Sequence, residues 1–236
     1  MSRRGIGALG PAWVLAWALG TAGGTQAMEP QDWADLGHYR AQNEALRSSG
    51  SPDPQRVVLL GDSITEGWPA RPGLWDAHFV NRGISGQTTP QMLLRLRPDV
   101  IALAPGALVV LAGTNDIAGN TGPATDEEIE GNLASIAELG RVHGMRVLLC
   151  SILPTRAYPW NPGARPAPRV LAINRWMREF AAGKGFEYVD YHSAMAEPDG
   201  GLRRDLGDDG VHPNERGYAI MARLLREALW KEPAAR

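Results

Sequence analysis

Cysteine is almost absent from this chain, because Cys150 is the only one among 236 residues. No intramolecular disulfide can form, so the folded state must be stabilised by an apolar core. Cys150 itself lies inside the apolar run 147–153. This position favours a buried structural thiol over a reactive nucleophile, because a thiol in apolar surroundings stays protonated.

The chain also lacks an excess of charge of either sign. Its 24 Lys and Arg residues nearly balance 26 Asp and Glu residues, for a net charge of −2, and the two signs are interspersed. Proteins that bind nucleic acid usually carry a basic patch or stripe. The composition, 44% hydrophobic and 21% charged, is that of an ordinary globular protein, so we expect no nucleic-acid partner.

Three motifs of well-known chemistry are missing. The sequence contains no His-Glu-x-x-His pair for a metal, no glycine-rich cradle for a phosphate group and no Gly-x-Ser-x-Gly nucleophile elbow. These absences argue against a zinc peptidase, a nucleotide-binding protein and an α/β-hydrolase, respectively. We therefore expect neither a metal nor an organic cofactor.

The N-terminus carries the pattern of a secretory signal peptide. Two arginines precede a mostly apolar stretch at 5–20, and mainly small residues follow at 21–27. Cleavage is predicted after Ala27, leaving residues 28–236 as a single secreted or periplasmic domain. A retained membrane anchor is the alternative, although the apolar stretch is shorter than the roughly 20 residues that span a bilayer.

Short apolar runs alternate with amphipathic stretches along the rest of the chain. The runs predict five strands, at 57–61, 78–82, 107–112, 146–153 and 186–190. Helical spacing predicts helices at 31–47, from Pro90, from Thr125 to about Gly144, at 169–182 and from Asn214. Thr89 is the predicted cap of the second helix, and Thr125 with Glu128 forms a capping-box pattern at the third. The alternation predicts an α/β protein, a three-layer α/β/α sandwich around a parallel sheet.

The residues that suggest chemistry follow the predicted strands. Ser63 comes directly after the first strand, and Gly86 follows the second. Asn115 follows the third, and Asp209 and His212 follow the fifth. Because the carboxyl ends of parallel strands lie at one edge of a sheet, we expect these residues to meet despite their separation in sequence.

Three of these side chains predict nucleophilic catalysis. A serine hydroxyl needs a base within hydrogen-bond reach, and His212 is the candidate base for Ser63. Asp209, three residues before the histidine, can orient the other ring nitrogen, although the adjacent Asp208 is an alternative. Asp62 and Asp116 also lie beside candidate residues, and we expect each of them to hold its own turn through backbone hydrogen bonds.

Four segments together resemble the sequence blocks of the SGNH (GDSL) hydrolase family, over about residues 57–229. The segments are Gly61-Asp62-Ser63, the stretch 81–88, Gly113-Thr114-Asn115-Asp116 and the stretch 208–213. The resemblance implies a flavodoxin-like sheet with the strand order 2-1-3-4-5. It also implies three oxyanion donors, namely the backbone N–H groups of Ser63 and Gly86 and the side-chain amide of Asn115. The family signature Asp-x-x-His favours Asp209 over Asp208.

The stretch 81–88 and the form Gly-Thr-Asn-Asp at 113–116 look most like the branch related to platelet-activating-factor acetylhydrolase and bacterial acyl esterases. This resemblance implies a serine esterase for small acyl groups, often acetyl, on a lipid, sugar or other alcohol. Trp68, Tyr158 and Trp160 lie on loops near the predicted site and are candidate substrate contacts, with ordinary packing as the alternative for each. An acyltransferase with the same residues remains open. A catalytically silent binding module is disfavoured by the intact serine, histidine and aspartate.

Overall fold

The computed structural model describes residues 32–49, 53–68 and 73–230. These residues belong to one compact unit of the chain, Asp32–Arg236. The predicted signal peptide at 1–27 and its cleavage after Ala27 lie outside the described residues. The domain boundary at residue 28 therefore stays a prediction.

The described residues form one five-stranded parallel sheet. Its strands are β1 (Val57–Gly61), β2 (Phe79–Gly83), β3 (Ala107–Leu111), β4 (Arg146–Cys150) and β5 (Glu187–Val189). Their spatial order is β2-β1-β3-β4-β5, which confirms the order that the family resemblance implied. Gly61 pairs with Gly83 on one side and with Leu111 on the other, so the carboxyl ends of the three strands are level.

Helices follow the strands and cover both faces of the sheet. They are α1 (Arg40–Ser48), α2 (Ser63–Glu66), α3 (Thr89–Asp99), α4 (Thr114–Ala118), α5 (Asp126–Val142), α6 (Ala167–Lys184), α7 (Tyr191–Met195) and α8 (Glu215–Leu229). Side chains of β1 alternate between two apolar clusters, as the twofold period of a strand requires. Val58 and Leu60 join the cluster that contains α3, α5 and α6, whereas Val57 and Leu59 join the cluster that contains α7 and α8. The predicted three-layer sandwich is confirmed.

Two predicted helix starts were wrong. The first helix begins at Arg40 rather than near residue 31, because the carboxylate of Asp32 accepts the backbone N–H groups of Leu36 and Gly37 and forms a turn. The cap of α3 is Thr88 rather than Thr89, in a capping box with Gln91.

Pro98 lies inside the last turn of α3. Two other predictions from the local sequence are confirmed. The capping box of Thr125 with Glu128 is confirmed at the start of α5. Cys150 is fully buried, and burial raises its pKa to about 12, so the prediction of a structural thiol is confirmed.

A buried ion pair lies beneath the end of β1. Arg95 and Asp99, both in α3, are 3.2 Å apart, and their side chains are 0% and 1% exposed. The same guanidinium donates to the carbonyl of Gly61 at 3.0 Å and to the side chain of Gln87 at 2.5 Å. Arg95 therefore ties α3 to the two chain segments that lead into the candidate site.

Replacing Arg95 with methionine is expected to lower the free energy of unfolding by roughly 3–5 kcal/mol, because it leaves a buried carboxylate without its cation. Urea denaturation of wild type and variant measures this. The matched control is Arg223→Met, which removes the partner of Glu227 from an exposed pair on α8 and should cost no more than about 1 kcal/mol. Equal losses in the two variants would contradict a structural role for the buried pair.

Candidate active site

Ser63 is the first residue of α2, at the point where β1 ends. Asp62 caps this helix, and its carboxylate accepts the backbone N–H of Ile64 at 3.0 Å, which fits the predicted role of holding the turn. Burial raises the pKa of Asp62 to about 6, although the hydrogen bond from Ile64 opposes this shift. The turn also needs Gly61, because a Cβ there would lie 2.1 Å from the hydroxyl of Thr65 and 2.8 Å from the carbonyl of Leu111.

A continuous line of hydrogen bonds joins a hydroxyl, an imidazole and a carboxylate. The Oγ of Ser63 lies 2.9 Å from Nε2 of His212, and Nδ1 of His212 lies 2.6 Å from Oδ2 of Asp209. A carboxylate can only accept, so its partner Nδ1 carries the proton and Nε2 is left to accept from the serine. The sheet thus brings together residues that are 149 positions apart in sequence.

The loop that carries His212 is organised by the aspartate itself. Oδ1 of Asp209 accepts the backbone N–H groups of Val211 at 2.9 Å and of His212 at 2.7 Å, while Oδ2 contacts the imidazole. Burial raises the pKa of Asp209, but the hydrogen bonds from His212 and the backbone outweigh this effect and hold the pKa below its usual value. The carboxylate that contacts His212 is that of Asp209, although Asp208 and Asp209 are both exposed.

The three predicted oxyanion donors lie on segments that are tied to one another. Gly86 has a φ of +77°, a left-handed conformation that favours glycine. The carboxylate of Glu66, on the same helix as Ser63, accepts the backbone N–H of Ser85 at 3.0 Å and holds this loop beside the nucleophile. The side chain of Asn115 is buried and donates to the carbonyl of Gln87 at 3.0 Å, which uses one of its two amide hydrogens.

Asp116 acts differently from the prediction. Its carboxylate accepts the backbone N–H of Thr89 at 3.0 Å and the hydroxyl of Thr89 at 2.6 Å, so it joins the turn after β3 to the start of α3 rather than holding its own turn. Burial raises the pKa of this carboxyl. Asn115 is the residue that precedes this link in the chain.

The structure places the three candidate aromatic contacts in different environments. Trp160 is 46% exposed, and its ring centroid lies 6.2 Å from that of His212. Trp68 is 1% exposed and packs against Trp75 and Tyr218 in the core. Tyr158 is 0% exposed and lies beneath Trp160 at 5.2 Å. The expectation that Trp68 and Tyr158 contact substrate is therefore corrected, because neither presents surface to a ligand, and only the role of Trp160 stays a prediction.

One residue at the site escaped sequence reasoning. Asn120 contacts the loop of Gly86, the side chain of Asn115 and the indole of Trp160. Asn120 lies five residues after Asn115 and just past the end of α4, and this spacing was the only signal in the sequence that could have indicated its place at the site. Helix α4 itself is too short to produce a helical pattern.

Among residues 32–49, 53–68 and 73–230, no cluster of three or more His, Cys, Asp or Glu side chains could hold a metal ion. In the same residues, no helix is both long and apolar enough to cross a membrane.

The geometry agrees with the sequence comparisons. The GDSL-like lipase/acylhydrolase family model matches residues 59–220, which include every residue of the hydrogen-bonded line. The chain belongs to this family. A GDSL-like lipase from Bacteroides thetaiotaomicron shares the fold with a TM-score of 0.80 and 38% identity, over 84% of this chain and 98% of the lipase.

Two of the curated proteins that are similar to this chain are an esterase and an acetylxylan esterase. Esterase TesA of Pseudomonas aeruginosa is 32% identical over 191 residues, which cover 75% of this chain and 86% of TesA. An acetylxylan esterase of Xylanibacter ruminicola is 28% identical over 235 residues, which cover 83% of this chain. The match covers 46% of that esterase, so this chain spans about half of its length.

Proposed function

We propose that this protein is a serine esterase that hydrolyses short-chain carboxylic esters, chiefly acetyl esters of a carbohydrate or lipid, through an acyl-enzyme. The observation that carries the proposal is the hydrogen-bonded line from Ser63 through His212 to Asp209. Membership of the GDSL-like lipase/acylhydrolase family supports the same reaction class.

In the proposed reaction, Oγ of Ser63 attacks the ester carbonyl while Nε2 of His212 accepts its proton. Negative charge develops on the carbonyl oxygen and is stabilised by the Asn115 amide with the backbone N–H groups of Ser63 and Gly86. Each such donor is typically worth about 2.7–4 kcal/mol. The C–O bond then breaks, and the alcohol leaves with the proton from His212.

Hydrolysis of the acyl-enzyme repeats these steps with water as the nucleophile. Water attacks the acyl carbon, His212 takes the proton, and the acid leaves as Ser63 recovers its hydrogen. The side chains of His212 and Asp209 are 38% and 41% exposed, so the site is open to water. This exposure favours hydrolysis over transfer to a second alcohol.

Two further points favour acetyl esters of carbohydrates among the proposed substrates. The exposed indole of Trp160 lies next to His212, where it can stack against the face of a sugar on the alcohol side of the ester. The acetylxylan esterase among the relatives acts, by its name, on an acetylated glycan. We also propose that residues 1–27 direct export and are removed after Ala27, which N-terminal sequencing of the exported protein would test.

A series of p-nitrophenyl esters from acetate to octanoate tests the proposal. We expect kcat/KM to be highest for acetate and to fall with chain length, and we expect acetate release from acetylated xylan. Ser63→Ala measures the background reaction, and product analysis with added alcohols separates hydrolysis from transfer. Failure of the wild-type protein to cleave any ester of the series would refute the proposed activity.

A further inference from the structure

The side chain of Asn120 joins three parts of the candidate site. Its Nδ2 donates to the carbonyl of Gly86 at 3.1 Å and to Oδ1 of Asn115 at 3.0 Å. Its Oδ1 accepts from Nε1 of Trp160 at 3.1 Å. Both amide hydrogens and the amide oxygen are therefore engaged, and every partner belongs to the site rather than to the core.

The chemistry of these partners dictates the orientation of both asparagines. An indole nitrogen can only donate and a backbone carbonyl can only accept, so Asn120 must direct Oδ1 towards Trp160 and Nδ2 towards Gly86. Asn115 lies between the donor Nδ2 of Asn120 and the carbonyl of Gln87, which can only accept. Asn115 must therefore direct Oδ1 towards Asn120 and Nδ2 towards Gln87.

This orientation matters for catalysis. A reversed Asn115 would place its carbonyl oxygen against the carbonyl of Gln87 and would remove its N–H donors from the developing oxyanion. Oxyanion stabilisation depends on donors that are aimed before the reaction begins. We propose that Asn120 is a positioning residue that keeps the Asn115 amide aimed at the oxyanion, restrains Gly86 through its carbonyl oxygen and couples both residues to the Trp160 ring. This inference rests on the proposed esterase function.

The link to Trp160 extends the role to substrate binding. The indole is held by the same amide that orients the oxyanion hole, and its centroid lies 6.2 Å from that of His212. A substrate that packs on Trp160 therefore contacts a ring whose position depends on Asn120. Loss of the indole N–H alone should weaken the alignment of the oxyanion donors, even when residue 160 is still aromatic.

Steady-state kinetics with p-nitrophenyl acetate test the inference. For Asn120→Ala we expect kcat to fall about 10- to 100-fold while KM stays within about twofold, because the lost alignment acts on the transition state. Asn120→Asp keeps the acceptor for Trp160 but removes both donors, and it should lose at least as much activity. Trp160→Phe keeps a ring and removes the N–H, and it should show a smaller loss of kcat.

A double-mutant cycle separates positioning from a general structural role. If Asn120 acts through Asn115, adding Asn120→Ala to Asn115→Ala should cause little further loss of kcat. Ser135→Ala is the control, because this hydroxyl donates to the carbonyl of Gly131 within α5 at 2.7 Å, outside the hydrogen-bonded line and the segments that carry Ser63, Gly86 and Asn115. It should leave kcat within about twofold of wild type.

The outcomes distinguish the two proposals. An active wild type with an unchanged kcat in Asn120→Ala, or with fully additive losses in the cycle, would overturn the role of Asn120 and leave the esterase proposal standing. A wild type without activity on any ester would overturn both. If Asn120→Ala has a lowered melting temperature, the nearly isosteric Asn120→Asp decides the question, and normal kcat in that variant counts against the inference.

Discussion

Replacing Ser63 with alanine is expected to lower kcat for p-nitrophenyl acetate by about 10⁴- to 10⁶-fold, with the fold unchanged. The variant has no oxygen that can attack the ester, so His212 has no proton to accept and no acyl-enzyme can form. The residual rate should reflect only binding and the oxyanion donors. Mass spectrometry after treatment with a fluorophosphonate checks the chemistry directly, because wild type should gain one adduct at Ser63 and the variant none.

A second serine provides the control for this result. The hydroxyl of Ser135 donates to the carbonyl of Gly131 within α5, at 2.7 Å, and takes no part in the hydrogen-bonded line. Ser135→Ala should keep wild-type kcat and still take up the fluorophosphonate. Undiminished esterase activity in Ser63→Ala would show that the nucleophile is a different group.

Replacing Asp209 with asparagine is expected to lower kcat by about 10³- to 10⁴-fold. The Oδ1 atom of asparagine can still accept the backbone N–H groups of Val211 and His212, so the loop should keep its shape. The variant lacks the negative charge that stabilises a protonated His212, and its amide can donate to Nδ1 and so select the wrong tautomer. Kinetics at several pH values, with a melting curve for each variant, measure the loss.

Asp208→Asn is the matched comparison for this variant. It removes the same charge from the neighbouring, exposed position, whose carboxylate is not the one in contact with His212 at 2.6 Å. We expect kcat within about twofold of wild type. Losses of equal size in the two variants would move the orienting role away from Asp209.

The layered fold was predictable because its signals are local and repeated. The apolar run of β3 indicates a strand buried on both faces, and the capping box of Thr125 with Glu128 marks the start of α5. The short helices α2, α4 and α7 were not predicted, because four or five residues are too few to show a 3.6-residue period. The predicted start of α1 was wrong because the carboxylate of Asp32 accepts the backbone N–H groups of Leu36 and Gly37 and forms a separate turn before the helix.

The residues of the site were predictable to different degrees. Ser63, Asn115 and His212 each follow a strand, so topology alone places them at one sheet edge. Exposure of the aromatic residues was not predictable, because a loop position does not reveal whether a ring packs inward, as Trp68 and Tyr158 do, or outward, as Trp160 does. The role proposed for Asn120 was also not predictable from the sequence, since it depends on three partners from separate segments.

The amino-acid sequence by itself determined the class of fold, the edge of the sheet at which chemistry is expected and the kinds of side chain available there. These follow from the spacing of apolar residues and from which residues come after each strand. The tertiary structure alone decided which atoms are in contact, such as Oδ2 of Asp209 with Nδ1 of His212, and which aromatic ring lies at the surface, Trp160 rather than Trp68. Hydrogen bonds and burial depend on distances of a few ångströms between segments remote in sequence, and no local pattern encodes those distances.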